Sequence, residues 1–245
     1  PEKNILTVHD LINESYTQKS MRNHATAVLK RNAVMKSNKI ICISNATFTK
    51  LNKFYDLEGK DVIVLHNPIN PVYEDHLISK DYKNYILWIG RRDGYKNFKH
   101  FIDKFALIKE RPNLIIVGGE CISEDRIFLK ERRIDYTHYS GICDNELAHL
   151  YSDALFVAFP SKAEGFGLPV VEAGMLGTPT LTLQADWSKE VGNPFVSRLD
   201  SLDVSVLKEF IDSATTVSRN NISEYYKTEF SIDRYKSKLQ EFLNV

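Results

Sequence analysis

The chain has 245 residues, of which 43% are hydrophobic and 26% are charged, as is usual for one folded domain or two small ones. Lysine plus arginine and aspartate plus glutamate each number 32, so no overall positive field is present and nucleic acid is not expected as a partner. The cysteines Cys42, Cys121 and Cys143 lie far apart in or next to apolar segments, which predicts reduced core thiols in a cytoplasmic protein. No apolar run approaches the ~20 residues of a membrane span. Composition and hydropathy are compatible with peripheral contact at the inner face of a membrane.

The first part of the chain alternates short apolar runs with helical patterns. Residues 5–8 predict a strand that ends in His9, at the edge where open α/β sheets place their ligand contacts. Further patterns predict a helix over 19–36, a strand over 39–43, a helix capped by Ser44 and a strand over 61–65. Residues 1–66 therefore predict a partial N-terminal Rossmann-like unit. The prolines at 68 and 71 then predict an irregular linker over residues 67–80.

From residue 81 the alternation restarts, and it continues long enough for a complete doubly wound α/β domain over residues 81–230. Its strands are predicted at 85–89, 114–117, 136–139, 155–159 and 180–182, with a helix capped by Asp144 before the fourth. Residues 186–191 predict a loop that exposes Trp187 to a cleft. Helices are predicted near 203–217 and 222–230. A last helix within residues 231–245 is expected to pack back toward the N-terminal unit.

The stretch from 160 to 179 joins a strand, a loop and the beginning of a helix. Gly165 and Gly167 lack a Cβ, so the loop can bring its backbone N–H groups close to a ligand. The helix that follows adds partial positive charge, which suits a phosphate. Glu164 and Glu172 bracket this loop. An isolated pair of glutamates would favour solvated carboxylates, but the surrounding strand, glycines and prolines favour a binding site.

A second loop, residues 90–97, contains Arg91, Arg92 and Lys96. Alone, these side chains are typical of a solvated basic loop. Together with Glu164 and Glu172, they favour a set of fixed cations beside a phosphate site. Neither an Asp-x-Asp motif nor a cluster with metal-ligand spacing occurs in the sequence, so no bound metal is expected.

The nine residues EGFGLPVVE, from Glu164 to Glu172, resemble the signature of retaining glycosyltransferases of family 4, which have the two-domain Rossmann-like architecture called GT-B. The resemblance implies that Glu164 lies beside the donor sugar and that Glu172 accepts hydrogen bonds from the ribose. It also implies that Arg91 and Lys96 bind the donor diphosphate. His9 matches a histidine that faces the donor sugar across the cleft, although a strand-end histidine satisfied locally explains it equally well.

The function implied is transfer of a sugar, with retained configuration, from a GDP- or UDP-sugar to a glycan or lipid-linked acceptor in cell-surface polysaccharide or lipopolysaccharide synthesis. The resemblance implies no cofactor. Family members normally carry several more β-α units before the strand that ends in His9, so the acceptor side is expected to be shortened. The alternative is a donor-binding half that is inactive alone and needs a missing N-terminal segment or partner chain. The predicted catalytic residues are Glu164, Arg91, Lys96 and His9, and the predicted donor-binding residues are Arg91, Lys96, Gly165, Phe166, Gly167, Leu168 and Glu172.

Overall fold

Two parallel sheets organise the chain in the computed structural model, which describes residues 4–15, 21–79, 82–92, 94–192 and 196–243. The first sheet has the strand order β1-β2-β3, and every strand pair is parallel. Its elements are β1 (Ile5–Val8), α1 (Ile12–Ser15), α2 (Met21–Lys36), β2 (Lys39–Cys42), α3 (Asn45–Phe54) and β3 (Asp61–Val64). The predicted start of the second helix at Lys19 lies outside the described residues. Ser44 caps α3 as predicted, because its Oγ accepts the N–H of Thr47 at 2.9 Å.

The segment between the sheets is more regular than its prolines predict. A short helix, α4 (Pro71–Asp75), begins at the second proline. Proline fits the first turn of a helix, where its missing N–H would have no partner, and Asn70 caps the helix by accepting the N–H of Val72 at 3.1 Å. The expectation of an entirely irregular linker was therefore wrong.

The second sheet has six parallel strands in the order β6-β5-β4-β7-β8-β9. Side chains that alternate along its central strand enter different cores: Ile86 and Trp88 pack on one face of the sheet, and Tyr85 and Leu87 pack on the other. Both faces are covered, which explains the unbroken apolar runs in the sequence. The elements are β4 (Tyr85–Ile89), α5 (Phe98–Phe105), β5 (Asn113–Val117), α6 (Ser123–Glu131), β6 (Tyr136–Tyr139), α7 (Asp144–Asp153), β7 (Phe156–Phe159), α8 (Leu168–Met175), β8 (Thr180–Leu183), α9 (Asp186–Val191), β9 (Val196–Leu199), α10 (Val204–Ser213), α11 (Arg219–Glu229) and α12 (Ile232–Leu243).

Several local predictions were wrong. The predicted loop at 186–191 is helix α9, and strand β9 was not predicted. Trp187 is buried, with its ring edge-on to Phe159, and is not a cleft residue. Cys143 is exposed and is not a core thiol. It occupies the N-cap position of α7, where Asp144 was predicted.

The last helix contacts the first sheet. The Nζ atom of Lys39 on β2 donates to the backbone carbonyl of Phe242 and lies 4.4 Å from the centroid of its ring. The chain thus returns from the second sheet to the first through α12. No helix in the described part of the chain combines the length and apolar character needed to cross a bilayer.

Candidate active site

The loop over residues 90–97 and the loop that contains Glu164 meet because the strands that precede them, β4 and β7, are neighbours. Strands β4 and β7 pair in parallel, with Trp88 opposite Ala158, so the loops at their carboxyl ends leave the sheet at the same edge. The backbone N–H of Lys162 donates to the carbonyl of Tyr95 at 2.8 Å, which ties one loop to the other. A ligand at this edge would contact both loops.

Lys96 and Glu164 form an ion pair where the loops join. The Lys96 Nζ lies 2.6 Å from the Glu164 Oε1, and both side chains are largely buried. The ring of Phe159, at the end of β7, lies 4.9 Å from the same ammonium group. Gly90 has a φ of 116° and its backbone lies next to the Lys96 side chain: a Cβ added at Gly90 would lie 3.9 Å from Lys96 Cε. Two predicted catalytic residues are therefore brought into direct contact.

The two arginines of the basic loop differ in their surroundings. Arg91 is exposed and lines a cavity of about 810 Å³ together with Arg92, Lys99 and Gly119. Arg92 is 7% exposed and its Nε donates to Asp125 at 2.7 Å. Its Nη2 donates to the carbonyls of Gly119 and Glu120. Arg92 therefore anchors the loop, whereas Arg91 lies where a ligand can reach it.

The loop over residues 164–167 is clamped against the first sheet. The carbonyl of Gly165 accepts hydrogen bonds from Ser44 Oγ and from Thr47 Oγ1, the second at 3.1 Å. A Cβ on Gly165 would lie 2.0 Å from the carbonyl oxygen of His9, so only glycine allows this approach. His9 is exposed at the end of β1, and its backbone lies beside the loop that carries Glu164. The structure thus places the backbone of His9 against this loop, and a role for its imidazole stays a prediction.

The remaining residues of that loop start helix α8. Gly167 has a φ of 97°, and Trp187 fills the space where its Cβ would project. Leu168 is the first helical residue, with a proline in the first turn. Phe166 is buried and its ring stacks on that of His66, with centroids 5.1 Å apart. These contacts fix the backbone conformation of the loop from both sides.

Glu172 lies on α8 in a network of buried tyrosines. Its Oε2 accepts a hydrogen bond from the Tyr151 hydroxyl at 2.6 Å. Tyr73, from the helix between the sheets, packs edge-on against Tyr151 and contacts Asp144. Burial raises the pKa of Glu172 to about 7, an effect that the Tyr151 hydrogen bond opposes and the Asp144 charge reinforces. A donor ligand that hydrogen-bonds to the carboxylate would therefore favour its ionised form.

Sequence reasoning missed a polar junction between the two sheets. The carboxylate of Glu190, on α9, accepts the backbone N–H groups of Asn45 and Ala46 at 2.7 and 3.2 Å, and lies 2.8 Å from His66 Nε2. Burial alone would raise the pKa of Glu190, but the hydrogen bonds from His66, Asn45 and Ala46 outweigh it and lower the pKa. The available signal was the position of His66, two residues after the end of β3 and close to the strand-end position that His9 has after β1.

No group of three or more histidine, cysteine, aspartate or glutamate side chains suited to a metal ion occurs within residues 4–15, 21–79, 82–92, 94–192 and 196–243.

Comparison with known proteins identifies the family. The family described as Glycosyl transferases group 1 matches residues 73–226, more than half of the chain. The chain is 26% identical over 248 residues to the O-antigen chain mannosyltransferase RfbU of Salmonella typhimurium, a match that covers 97% of this chain and 68% of the relative. It is 31% identical to the Escherichia coli O-antigen chain mannosyltransferase B over 45% of this chain and 31% of that relative.

A third relative, an α-1,3-N-acetylgalactosaminyltransferase of Campylobacter jejuni that acts on N,N'-diacetylbacillosaminyl-diphospho-undecaprenol, is 28% identical over 63% of this chain and 39% of its own length. The chain therefore spans from about a third to two thirds of these relatives.

Solved structures agree with the architecture. Anabaena Alr3699/HepE, solved with UDP and glucose, superposes with a TM-score of 0.79 at 19% identity and covers 98% of this chain, which spans 71% of that protein. A mutant of S. aureus TarM, solved with UDP, has a TM-score of 0.76 at 13% identity over 98% of this chain and 50% of its own. The chain thus has the α/β fold with parallel sheets of the GT-B glycosyltransferases, and it belongs to the family of group 1 glycosyl transferases.

Proposed function

We propose that the protein is a retaining glycosyltransferase that transfers a sugar from a nucleotide-diphosphate sugar to a glycan or lipid-linked acceptor in the synthesis of a cell-surface polysaccharide. The observation that carries this proposal is the Lys96–Glu164 pair, which lies at the edge shared by β4 and β7 and next to the first sheet at His9. The O-antigen relatives support polysaccharide synthesis. Their names make mannose the first sugar to test. The proposed location is the cytoplasm, with peripheral contact at the inner face of the membrane.

The proposed chemistry follows from the charge that develops when the bond between the sugar and the diphosphate breaks. Negative charge grows on the leaving diphosphate, and fixed cations aimed at it lower the barrier. An ammonium has three N–H donors, so Lys96 can donate a hydrogen bond to the diphosphate while it keeps its hydrogen bond to Glu164. Arg91 can engage phosphate oxygens through its planar guanidinium. The backbone N–H groups at the start of α8 add partial positive charge. In this proposal neither a bound metal nor a cofactor is required.

Glu164 and His9 are assigned to the donor sugar. Because the leaving phosphate can accept the proton of the attacking hydroxyl on the same face of the sugar, retention needs no nucleophile from the enzyme. Glu164 then orients the sugar and stabilises positive charge on it. Its bond to Lys96 fixes the carboxylate beside the cation that holds the diphosphate. Glu172 is assigned to the ribose hydroxyls.

A second candidate function is a donor-binding half that is inactive alone. The observation that favours it is that Lys96 and Glu164 both lie on loops of the second sheet, whereas the first sheet reaches them through the backbone of His9. The two candidates share nucleotide binding and differ in transfer. Acceptor binding, which the resemblance assigns mainly to the N-terminal domain, is the property that would be lost.

The deciding experiment is calorimetric titration of the purified chain with GDP, UDP and the matching sugar nucleotides in the presence of EDTA. We expect saturable binding of one nucleotide and at least tenfold weaker binding by Glu172→Ala, because the ribose would lose its carboxylate. Glu229→Ala, on α11, is the control. A folded chain that binds no nucleotide would refute both candidates. Binding without transfer to glycan or lipid-linked acceptors would select the second, and transfer with inversion at the anomeric carbon would refute the retaining mechanism.

A further inference from the structure

A largely buried ion pair holds the turn that follows β1. The Nζ of Lys30, on α2, lies 2.9 Å from Glu14 Oε1 on α1, and the two side chains are 20% and 7% exposed. The same Nζ donates to the backbone carbonyl of Asp10 at 2.9 Å. A pair this deeply buried is costly to desolvate and persists only where its charges have further hydrogen-bond partners. One ammonium group thus ties helix α2 to the main chain directly after His9.

The carboxylate of this pair has a second donor. The Tyr55 hydroxyl, from the residue after α3, donates to Glu14 Oε1 at 3.3 Å. Burial and the Glu14 charge raise the pKa of Tyr55 to about 12, so the phenol keeps its proton and donates at neutral pH. Glu14 is therefore held by α2 and by the end of α3, and it holds the Lys30 ammonium in turn.

The turn itself has anchors for its side chains and a separate one for its main chain. Leu11 is 1% exposed and belongs to the core of the first sheet. Asp10 Oδ1 accepts the backbone N–H of Ile12 at 3.0 Å. Lys30 instead binds the carbonyl of Asp10, so it fixes the orientation of the peptide between Asp10 and Leu11.

This turn lies where the two sheets meet. A Cβ added at Gly165 would lie 2.0 Å from the carbonyl oxygen of His9 and 3.2 Å from Asp10 Cβ. Because these contacts involve main chain on both sides, a shift of the turn would displace the loop or open a gap beside it. Glu164 directly precedes Gly165, so the position of His9 relative to Glu164 depends on how the turn is held.

We propose that Lys30 is a positioning residue, which through the Asp10 carbonyl holds the turn at His9 in the place beside the Glu164 loop that sugar transfer requires. The inference rests on the proposed function, since it concerns the same cleft. Misplacement by about 1 Å far from the reacting atoms can cost about 100-fold in rate. The donor nucleotide is assigned to side chains of the second sheet, so loss of Lys30 should slow transfer and leave nucleotide affinity unchanged.

The test compares Lys30→Met with the double variant Lys30→Met, Glu14→Gln. Methionine keeps an apolar stem without the ammonium, so both variants release the Asp10 carbonyl. The single variant also leaves a buried carboxylate unpaired, which the double variant neutralises, so the double variant should unfold at a higher urea concentration. We expect both to lower kcat/KM for transfer equally, by about tenfold or more, with the nucleotide Kd changed by less than about twofold. Lys53→Met, which removes an exposed lysine from α3, is the control and should match the parent in stability and transfer.

A measurement without substrates separates failure of this inference from failure of the glycosyltransferase proposal. The NMR signals of the His9 imidazole, assigned with His9→Gln, should shift in both Lys30 variants and keep their parent positions in Lys53→Met. Unshifted His9 signals in both Lys30 variants would overturn the inference, whether or not the chain transfers sugar. So would transfer activity that recovers in the double variant together with stability, because Lys30 would then act only through the free energy of unfolding. A parent chain that binds no nucleotide would refute the proposed function and leave the hold of Lys30 on the turn to be decided by the His9 signals.

Discussion

The imidazole Nε2 of His66 lies 2.8 Å from Glu190 Oε1, and this contact joins the last strand of the first sheet to helix α9 of the second. The same carboxylate accepts the N–H groups at the start of α3, beside the residues that hold the carbonyl of Gly165. The ring of His66 also stacks on Phe166 in the loop that carries Glu164. One carboxylate therefore holds together the two sheets and the backbone of the candidate site.

The first prediction concerns this junction. Glu190→Ala should lower the free energy of unfolding by about 2 kcal/mol, since a helix start loses its acceptor and buried donors lose their partner. The measurement is urea denaturation, with Glu209→Ala on α10 as an exposed control expected to change stability by less than about 0.5 kcal/mol. Because the pKa of Glu190 is lowered in the folded protein, its contribution is complete above pH 4.5 and is lost as the pH falls through its folded pKa. A constant difference between parent and variant from pH 7 to pH 3 would contradict this assignment.

The second prediction concerns the protonation of Glu172. Its folded pKa of about 7 lies above the ordinary value of 4.5, so between these values the folded protein binds the proton more tightly than the unfolded chain does. Stability should therefore fall as the pH rises from 4.5 to 7, and then level off. Glu172→Gln should remove this fall and be the more stable protein at pH 8, which denaturation at pH 5.5 and pH 8 would measure. Parallel pH profiles for the two proteins would exclude an elevated pKa.

Tyr151 provides an internal check on that titration. Its hydroxyl donates to Glu172 and favours the ionised carboxylate, so Tyr151→Phe should move the titration of Glu172 to higher pH.

If the ribose hydroxyls bind the ionised carboxylate of Glu172, nucleotide affinity should rise as the pH is raised from 6 to 8, with proton release in calorimetry. Affinity that does not depend on pH would place the ribose elsewhere.

What the sequence predicted well was local, as with Ser44, which was predicted as a helix cap from its immediate neighbours. The roles of Lys96 and Glu164 stay predictions, and the structure adds that the two side chains are in contact. Trp187 was misplaced because its neighbours Asp186, Ser188 and Lys189 are polar, whereas its own packing against Phe159 and Gly167 is set by the fold. The His66–Glu190 contact joins residues 124 positions apart, and no periodicity reveals such a pair.

The third prediction separates chemistry from structure within the basic loop. If Lys96 and Arg91 stabilise the leaving diphosphate, replacing either with alanine should lower kcat/KM by about 100-fold, or ~3 kcal/mol of transition-state stabilisation. Arg92→Ala should act on stability and not on the chemical step, with a loss of about 3 kcal/mol in the free energy of unfolding, because it leaves Asp125 without its buried partner. Lys96→Ala also leaves a buried carboxylate, Glu164, without its partner, so its free energy of unfolding is measured beside its kcat/KM. Lys109→Ala, at an exposed position after α5, is the control for loss of a cation. Near-parent turnover in both Lys96→Ala and Arg91→Ala would remove these residues from the mechanism.

The fourth prediction concerns the contact between the Glu164 loop and the first sheet. Gly165→Ala would place a methyl group 2.0 Å from the carbonyl of His9, and because backbone atoms cannot rotate away, the loop must move. We expect a loss of about 1–3 kcal/mol in the free energy of unfolding together with weaker donor binding. Gly119→Ala is the matched control, since a Cβ there meets no atom within 4 Å and the residue also lies beside the site. Differential scanning calorimetry and nucleotide titration of the two variants measure both effects. If Gly165→Ala matched Gly119→Ala in both, the close approach of the loop to His9 would be neither needed for stability nor used in holding the donor.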